Sequence, residues 1–217
     1  MNKSLKKIVN LLIQKITRDD SFDRISYNSD FKTWFDQTEG MVNLEEALLL
    51  YGLAKACRDG CIVEVGSYRG RSAVALGRGS LDGNKVPVYA IEPHEEFAGV
   101  LGGKYGPPDR GAFYKAMLAT SCFHIVRLVN LSSEIVSPGW TKPIGLLFID
   151  GDHSYEGVKR DFDCWVNHLT PNAIIAFDDS TNPVFGCLQF IGELLESGRF
   201  EKINQVRNVT VITWKNI

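Results

Sequence analysis

The chain has 217 residues, 44% hydrophobic and 23% charged, with a formal net charge of −2. That is an ordinary globular composition, long enough to bury a substantial core without disulfides or metals to staple it. The near-neutral charge gives no electrostatic reason to expect nucleic acid or an anionic membrane as partner, and no run of 18 apolar residues exists to span a bilayer.

In the opening stretch "MNKSLKKIVNLLIQKITRDD", Leu5, Ile8, Leu12 and Ile16 fall three or four apart, the period of an amphipathic helix. Asn10, Gln14 and Lys15 interrupt the apolar run and no small-residue cleavage site follows, so a cytoplasmic protein is expected rather than a secreted one. The helix could pack on its own domain or on a sister subunit of a homo-oligomer. A polar break follows, then a helix is expected over 44–57, with Asn43 as N-cap and Glu46 completing a capping box.

Beyond residue 58 the texture changes. Short apolar runs, "CIVEV" at 61, "VPVYAI" at 86, "HIVRLV" at 124, "IGLLFI" at 144 and "AIIAF" at 173, alternate with helical patterns. Runs of this kind suit strands covered on both faces, and the alternation is that of a doubly wound α/β fold with a mostly parallel, Rossmann-like sheet. Tyr155, Val158, Phe162, Trp165 and Leu169 recur at helical spacing, with Trp165 expected in the core. "FEKINQV" and "VTVITW" are separated only by "RN", too little for a crossover helix, so they form a C-terminal antiparallel hairpin. The expectation is one domain: a helical N-terminal extension over 1–58 and a core over 59–217. The cysteines at 57, 61, 122, 164 and 187 form no CxxC pair and are expected to be reduced.

Two features carry chemistry. In "IVEVGSYRGRS", Gly66 and Gly70 follow the first strand and precede a helix, where doubly wound folds bind ligands. The spacing is neither G-x-G-x-x-G nor a phosphate loop. Glu92 ends the second strand, 26 residues beyond Gly66, placed to accept both hydroxyls of a ribose. Glu64 lies inside a buried strand, where a carboxylate needs a partner such as an ammonium group. These parts ask for a nucleoside with an amino-acid tail and no phosphate, which S-adenosylmethionine satisfies. The plainer alternative is an α/β turn whose acids bind nothing. The second feature is "FIDGDHSYEGV" followed later by "IIAFDDS". Adjacent parallel strands end at one edge, so Asp150, Asp178 and Asp179 should converge there, and like charges so placed require a cation. Hard oxygen donors suit magnesium, which would acidify a coordinated hydroxyl, with His153 positioned as general base. Asp152 and Ser154 are alternatively simple helix caps, and His124 and His168 are read as structural or surface residues.

On these residues the chain resembles the class I S-adenosylmethionine-dependent methyltransferases, and more narrowly the metal-dependent O-methyltransferases. "EVGSYRGRS" is similar to the first motif of the catechol O-methyltransferases, and "GMVNLEEALLLYGLAKA" to the segment preceding their first strand. "FIDGDHSYEGVKRDFDCW" with "IIAFDDS" is similar to the bacterial branch of macrolide-sugar O-methyltransferases and cephalosporin-hydroxylase-like proteins. The resemblance, from about residue 38 onward, implies a seven-stranded sheet. It implies cofactor contacts from Met41, Glu64, Gly66, Ser67, Tyr68, Ser72, Glu92, Ser133 and Asp150, magnesium on Asp150, Asp178 and Asp179, and His153 as base. His153 stands where the catechol enzymes have a lysine, and Pro171-Asn172 where many relatives have glycine in the turn before the fifth strand.

The segment 97–117, with five glycines, two prolines and aromatics, reads either as a lid over the acceptor or as a connection leading to a helix over 111–118. The function expected is magnesium-assisted methyl transfer to a hydroxyl of a sugar or other small molecule. The rivals are a nicotinamide-dependent oxidoreductase and a non-catalytic nucleoside-cofactor-binding protein.

Overall fold

A computed structural model describes residues 29–214, so the amphipathic pattern of Leu5 to Ile16 lies outside the described residues. The described chain begins with α1 (Ser29–Gln37) and α2 (Leu44–Ala56). Helix α2 starts where the capping signal placed it. Asn43 Oδ1 accepts from the amides of Glu45 and Glu46, both at 3.0 Å, while Glu46 Oε2 accepts from the Asn43 amide at 2.9 Å. The other Glu46 oxygen accepts from the Asn208 amide at 3.2 Å, tying the helix start to the C-terminal hairpin.

Strands and helices then alternate. In chain order they are β1 (Cys61–Val65), α3 (Arg71–Leu81), β2 (Val88–Ile91), β3 (Phe97–Ala98), β4 (Lys104–Tyr105), α4 (Pro107–Ala119), β5 (Val126–Val129) and α5 (Ser133–Val136). There follow β6 (Ile144–Ile149), α6 (Tyr155–Trp165), β7 (Leu169–Phe177), α7 (Gly186–Glu196), β8 (Phe200–Val206) and β9 (Val209–Trp214). The main sheet has seven strands in the order β5-β2-β1-β6-β7-β9-β8. The first five are parallel, and β9 runs antiparallel to both neighbours. The order reverses beside β1, so the crevice at its carboxyl end is the ligand position of a doubly wound sheet.

Apolar side chains on the two faces of β1 enter different cores. Ile62 joins the cluster built with residues of α1 to α4, whereas Cys61, Val63 and Val65 join the one built with α6 and α7. Both faces are thus covered, which is why the strands read as continuous apolar runs rather than alternating ones. Trp165 is fully buried, and all five cysteines are free thiols. No helix among the described residues is long and apolar enough to cross a membrane.

Two boundaries differ from expectation. Helix α4 begins at Pro107 rather than at 111, because proline suits a first helical turn and the buried Asp109 carboxylate accepts the Gly106 amide at 2.9 Å. Strand β7 already begins at Leu169, and Pro171-Asn172 lies in a register shift of the β6–β7 pairing, not in a left-handed turn. The segment read as either a lid or a connection contains a two-stranded ribbon, β3 with β4, leading into α4.

Asn43→Ala removes the side-chain acceptor of the capping box. It is expected to lower unfolding free energy by about 1 kcal/mol, read as a shift of the urea midpoint at unchanged slope.

Candidate active site

Parallel register assembles the site. Val65 pairs with Ile91 on one side and Ile149 on the other, and Ile149 pairs with Phe177. The residues that follow, Gly66, Glu92, Asp150 and Asp178, therefore emerge side by side. The ladder continues one step further: the Gly66 amide donates to Ile91 O, the Asp150 amide to Val65 O and the Asp178 amide to Ile149 O.

Gly66 adopts φ +83, and a Cβ there would lie 2.1 Å from the Asp150 carbonyl oxygen, so only glycine fits this turn. Gly70, at φ +97, opens α3. Glu64 is completely buried. Its Oε2 accepts from Ser67 Oγ at 2.9 Å, with Ser72 also bonding the carboxylate, yet Oε1 is buried with no partner among the described residues. Burial pushes its pKa up to about 8 against the pull of the two hydroxyls.

The Glu92 carboxylate pins the turn: Oε2 accepts from the amides of Ser67 at 3.2 Å and Tyr68 at 3.0 Å, and Oε1 from the His94 amide at 2.9 Å. A carboxylate offers about four acceptor positions, so one stays open to a ligand hydroxyl.

Beyond β6 and β7 the acids gather as expected, but around a histidine. His153 Nε2 lies 3.2 Å from Asp150 Oδ1, and Nδ1 lies 2.8 Å from Asp179 Oδ2. Burial opposes the charge on this imidazole, but the two aspartates outweigh it and carry the pKa to about 10. A carboxylate thus stands against each ring nitrogen, leaving neither open for the general-base role expected from the sequence. Burial raises the pKa of Asp150 despite its contact with His153, and raises that of Asp178 further, with the Asp150, Glu46 and Asp179 charges adding to the effect. Asp178 Oδ1 is buried without a partner among the described residues.

This arrangement does not fit the expected magnesium ion. Two ligands of one ion must each approach to about 2 Å, whereas an imidazole ring stands between Asp150 and Asp179. Among the described residues no group of three His, Cys, Asp or Glu side chains is placed to hold a metal. Ser154 does act as the cap of α6, its Oγ accepting from the Gly157 amide, while Asp152 Oδ1 accepts from the Ser154 amide just before the helix.

A family model described as a methyltransferase domain matches residues 63–180. The chain belongs to that methyltransferase family. It is 27% identical over 152 residues, 65% of its length, to the uncharacterized protein y4gI of Sinorhizobium fredii, and spans about 16% of that relative's length. Among solved structures it is similar to the Podospora anserina methyltransferase PaMTH1 bound to S-adenosylhomocysteine, at 18% identity and TM-score 0.65, covering 100% of this chain and 97% of the other. It is also similar to CalS11, a TDP-rhamnose 3′-O-methyltransferase of calicheamicin biosynthesis, at 17% identity and TM-score 0.60, covering 97% and 94%. At these identities the likeness to the two structures is one of fold.

The remaining expected residues of this methyltransferase domain divide. Met41 is 74% exposed at the rim, where its sulfur meets Tyr105 Oη at 3.6 Å. The Tyr68 ring packs edge-on against Tyr105 at 5.2 Å. Ser133 is buried and turned inward: its hydroxyl accepts from Trp165 Nε1 at 3.1 Å and bonds Asp161. This corrects a cofactor role for its side chain, leaving only its backbone.

Sequence reasoning missed two residues. His94, buried two positions past Glu92, bonds the Tyr68 carbonyl through Nε2 at 2.8 Å and holds it at φ 46. Its place just after a strand-end acid was the available signal. Arg69 joins Asp109 at 2.8 Å and Glu39 at 2.5 Å, linking the glycine turn to α4 and to the segment before α2. No local pattern announces those partners.

Glu64 sets a pH dependence. Its folded pKa of about 8 exceeds the ordinary value of 4.5, so the native state keeps a proton that the unfolded chain releases in between. The stability it contributes is present below the unfolded value and falls as pH rises toward 8. Glu64→Gln is expected to flatten the loss of stability over that window, measured by urea unfolding at successive pH values.

Proposed function

We propose that this chain transfers a methyl group from S-adenosylmethionine to a hydroxyl of a sugar or other small molecule. The observation that carries the reading is Glu64: a fully buried carboxylate, one oxygen without a partner, behind a turn where Gly66 leaves no room for a side chain. A buried carboxylate of this kind calls for a donor from a ligand, and the ammonium of an amino-acid tail supplies one. Glu92 holds the turn amides and retains an acceptor position for a ribose hydroxyl. The methyltransferase family and the folds of PaMTH1 and CalS11 support this reading.

Bound there, the cofactor supplies a methyl on a sulfonium: the S–C bond breaks with its electron pair on sulfur, an O–C bond forms, and the acceptor hydroxyl loses its proton. The chain must align the acceptor and receive that proton. With both His153 nitrogens engaged by aspartates, the proton passes to a carboxylate oxygen. Asp150 is suited to this, since it borders the glycine turn, stays 17% exposed and has a raised pKa, making it a stronger base than an ordinary carboxylate. Alignment of two bound substrates supplies much of the rate, because the protein forms no covalent bond.

Calorimetric titration tests the reading. S-adenosylhomocysteine is expected to bind one per chain with a Kd on the order of micromolar, about 8 kcal/mol, and nicotinamide dinucleotides are expected not to bind. Failure of S-adenosylhomocysteine to bind would sink the proposal. Glu92→Ala is expected to weaken this binding by about 1.5–3 kcal/mol, the scale of hydrogen bonds to a charged group; unchanged affinity removes Glu92 from the cofactor site.

A further inference from the structure

We infer that the His153 ring occupies the place between Asp150 and Asp179 that a shared divalent ion would need, so that methyl transfer at this site needs no divalent ion. The inference rests on the methyltransferase reading above for its chemistry, but on the His153 contacts for its substance.

Four features hold the imidazole between the carboxylates. Its two nitrogens face Asp150 Oδ1 at 3.2 Å and Asp179 Oδ2 at 2.8 Å. A carboxylate therefore stands against each ring nitrogen, and the ring bridges the two acids. Phe185 packs edge-on against the ring, with centroids 5.3 Å apart and planes at 80°. The His153 carbonyl accepts the Gly186 amide at 2.9 Å, where α7 begins. That approach is close enough that a Cβ on Gly186 would lie 2.1 Å from the Tyr155 nitrogen.

Asp179 meets the ring from a left-handed backbone conformation, φ 48, which a non-glycine residue adopts at a cost. Helix packing, backbone bonding and a strained aspartate thus converge on one ring position. Magnesium would require Asp150 and Asp179 to close on a single point about 2 Å from each, and the ring occupies the space between them. The ring pairs with both acids where an ion would sit, without opening coordination positions.

The test is titration of Mn²⁺ into the full chain, followed by its electron paramagnetic resonance signal, with and without S-adenosylhomocysteine. The wild type is expected to leave Mn²⁺ free through the sub-millimolar range in both conditions. His153→Ala removes the ring and is expected to bind one Mn²⁺ at least about tenfold more tightly, as freed carboxylates become hard oxygen ligands. If that variant does not melt cooperatively, His153→Asn serves in its place.

Uptake of one Mn²⁺ by the wild type, abolished in Asp179→Asn, would overturn the inference. So would a folded His153 variant that binds Mn²⁺ no better than the wild type. Binding of S-adenosylhomocysteine is measured on the same samples. Its failure would count against the methyltransferase reading, while the Mn²⁺ result would still decide the role of His153.

Discussion

The site depends on one close approach. Gly66 turns left-handed directly against the Asp150 carbonyl, bringing the loop after β1 and the loop after β6 into backbone contact. Everything that gives the crevice its chemistry hangs from these two loops. The first presents the amides of Ser67 and Tyr68 to Glu92, and the second leads through Asp150 to His153. A side chain at position 66 would drive the loops apart, separating the candidate cofactor turn from Asp150.

The crevice is strongly acidic, and the fold treats each acid differently. Glu92 is held by three backbone amides, and Asp150 and Asp179 by one imidazole. Glu46 is held by the amides of Asn43 and Asn208. Glu64 and Asp178 alone among these keep a buried oxygen without a partner. Because a buried unpaired acceptor costs free energy, those two atoms mark where the protein is incomplete by itself. Glu64 faces the glycine turn, which is why it carries the functional reading.

Around this centre side-chain contacts tie the connecting segments together. Arg71 donates to the carbonyls of Thr38 and Val42, and Arg69 bridges Glu39 and Asp109. The segment carrying Met41 and the start of α4 are therefore both anchored on the glycine turn. The β3–β4 ribbon follows through the Tyr68–Tyr105 contact.

Much of this was legible in the sequence, because it follows from local rules. The period of apolar residues marked the strands and α6, the two-residue turn fixed the hairpin, and Asn43 with Glu46 announced α2. Acids placed directly after apolar runs had to share an edge once those strands were parallel neighbours. What lay beyond reach depended on distance and direction in space. The β6–β7 register shift makes Pro171-Asn172 part of a strand, since ladder pairing rather than the dipeptide decides it. Ser133 turns inward because Trp165 and Asp161 on α6 meet its hydroxyl. The sequence by itself determined which acids and which glycine meet at the sheet edge, because strand direction and side-chain period leave no other outcome. Only the tertiary structure decided that His153 stands between two of those acids, because its ring position is set by Phe185, Gly186 and the backbone of Asp179, which local sequence does not relate to it.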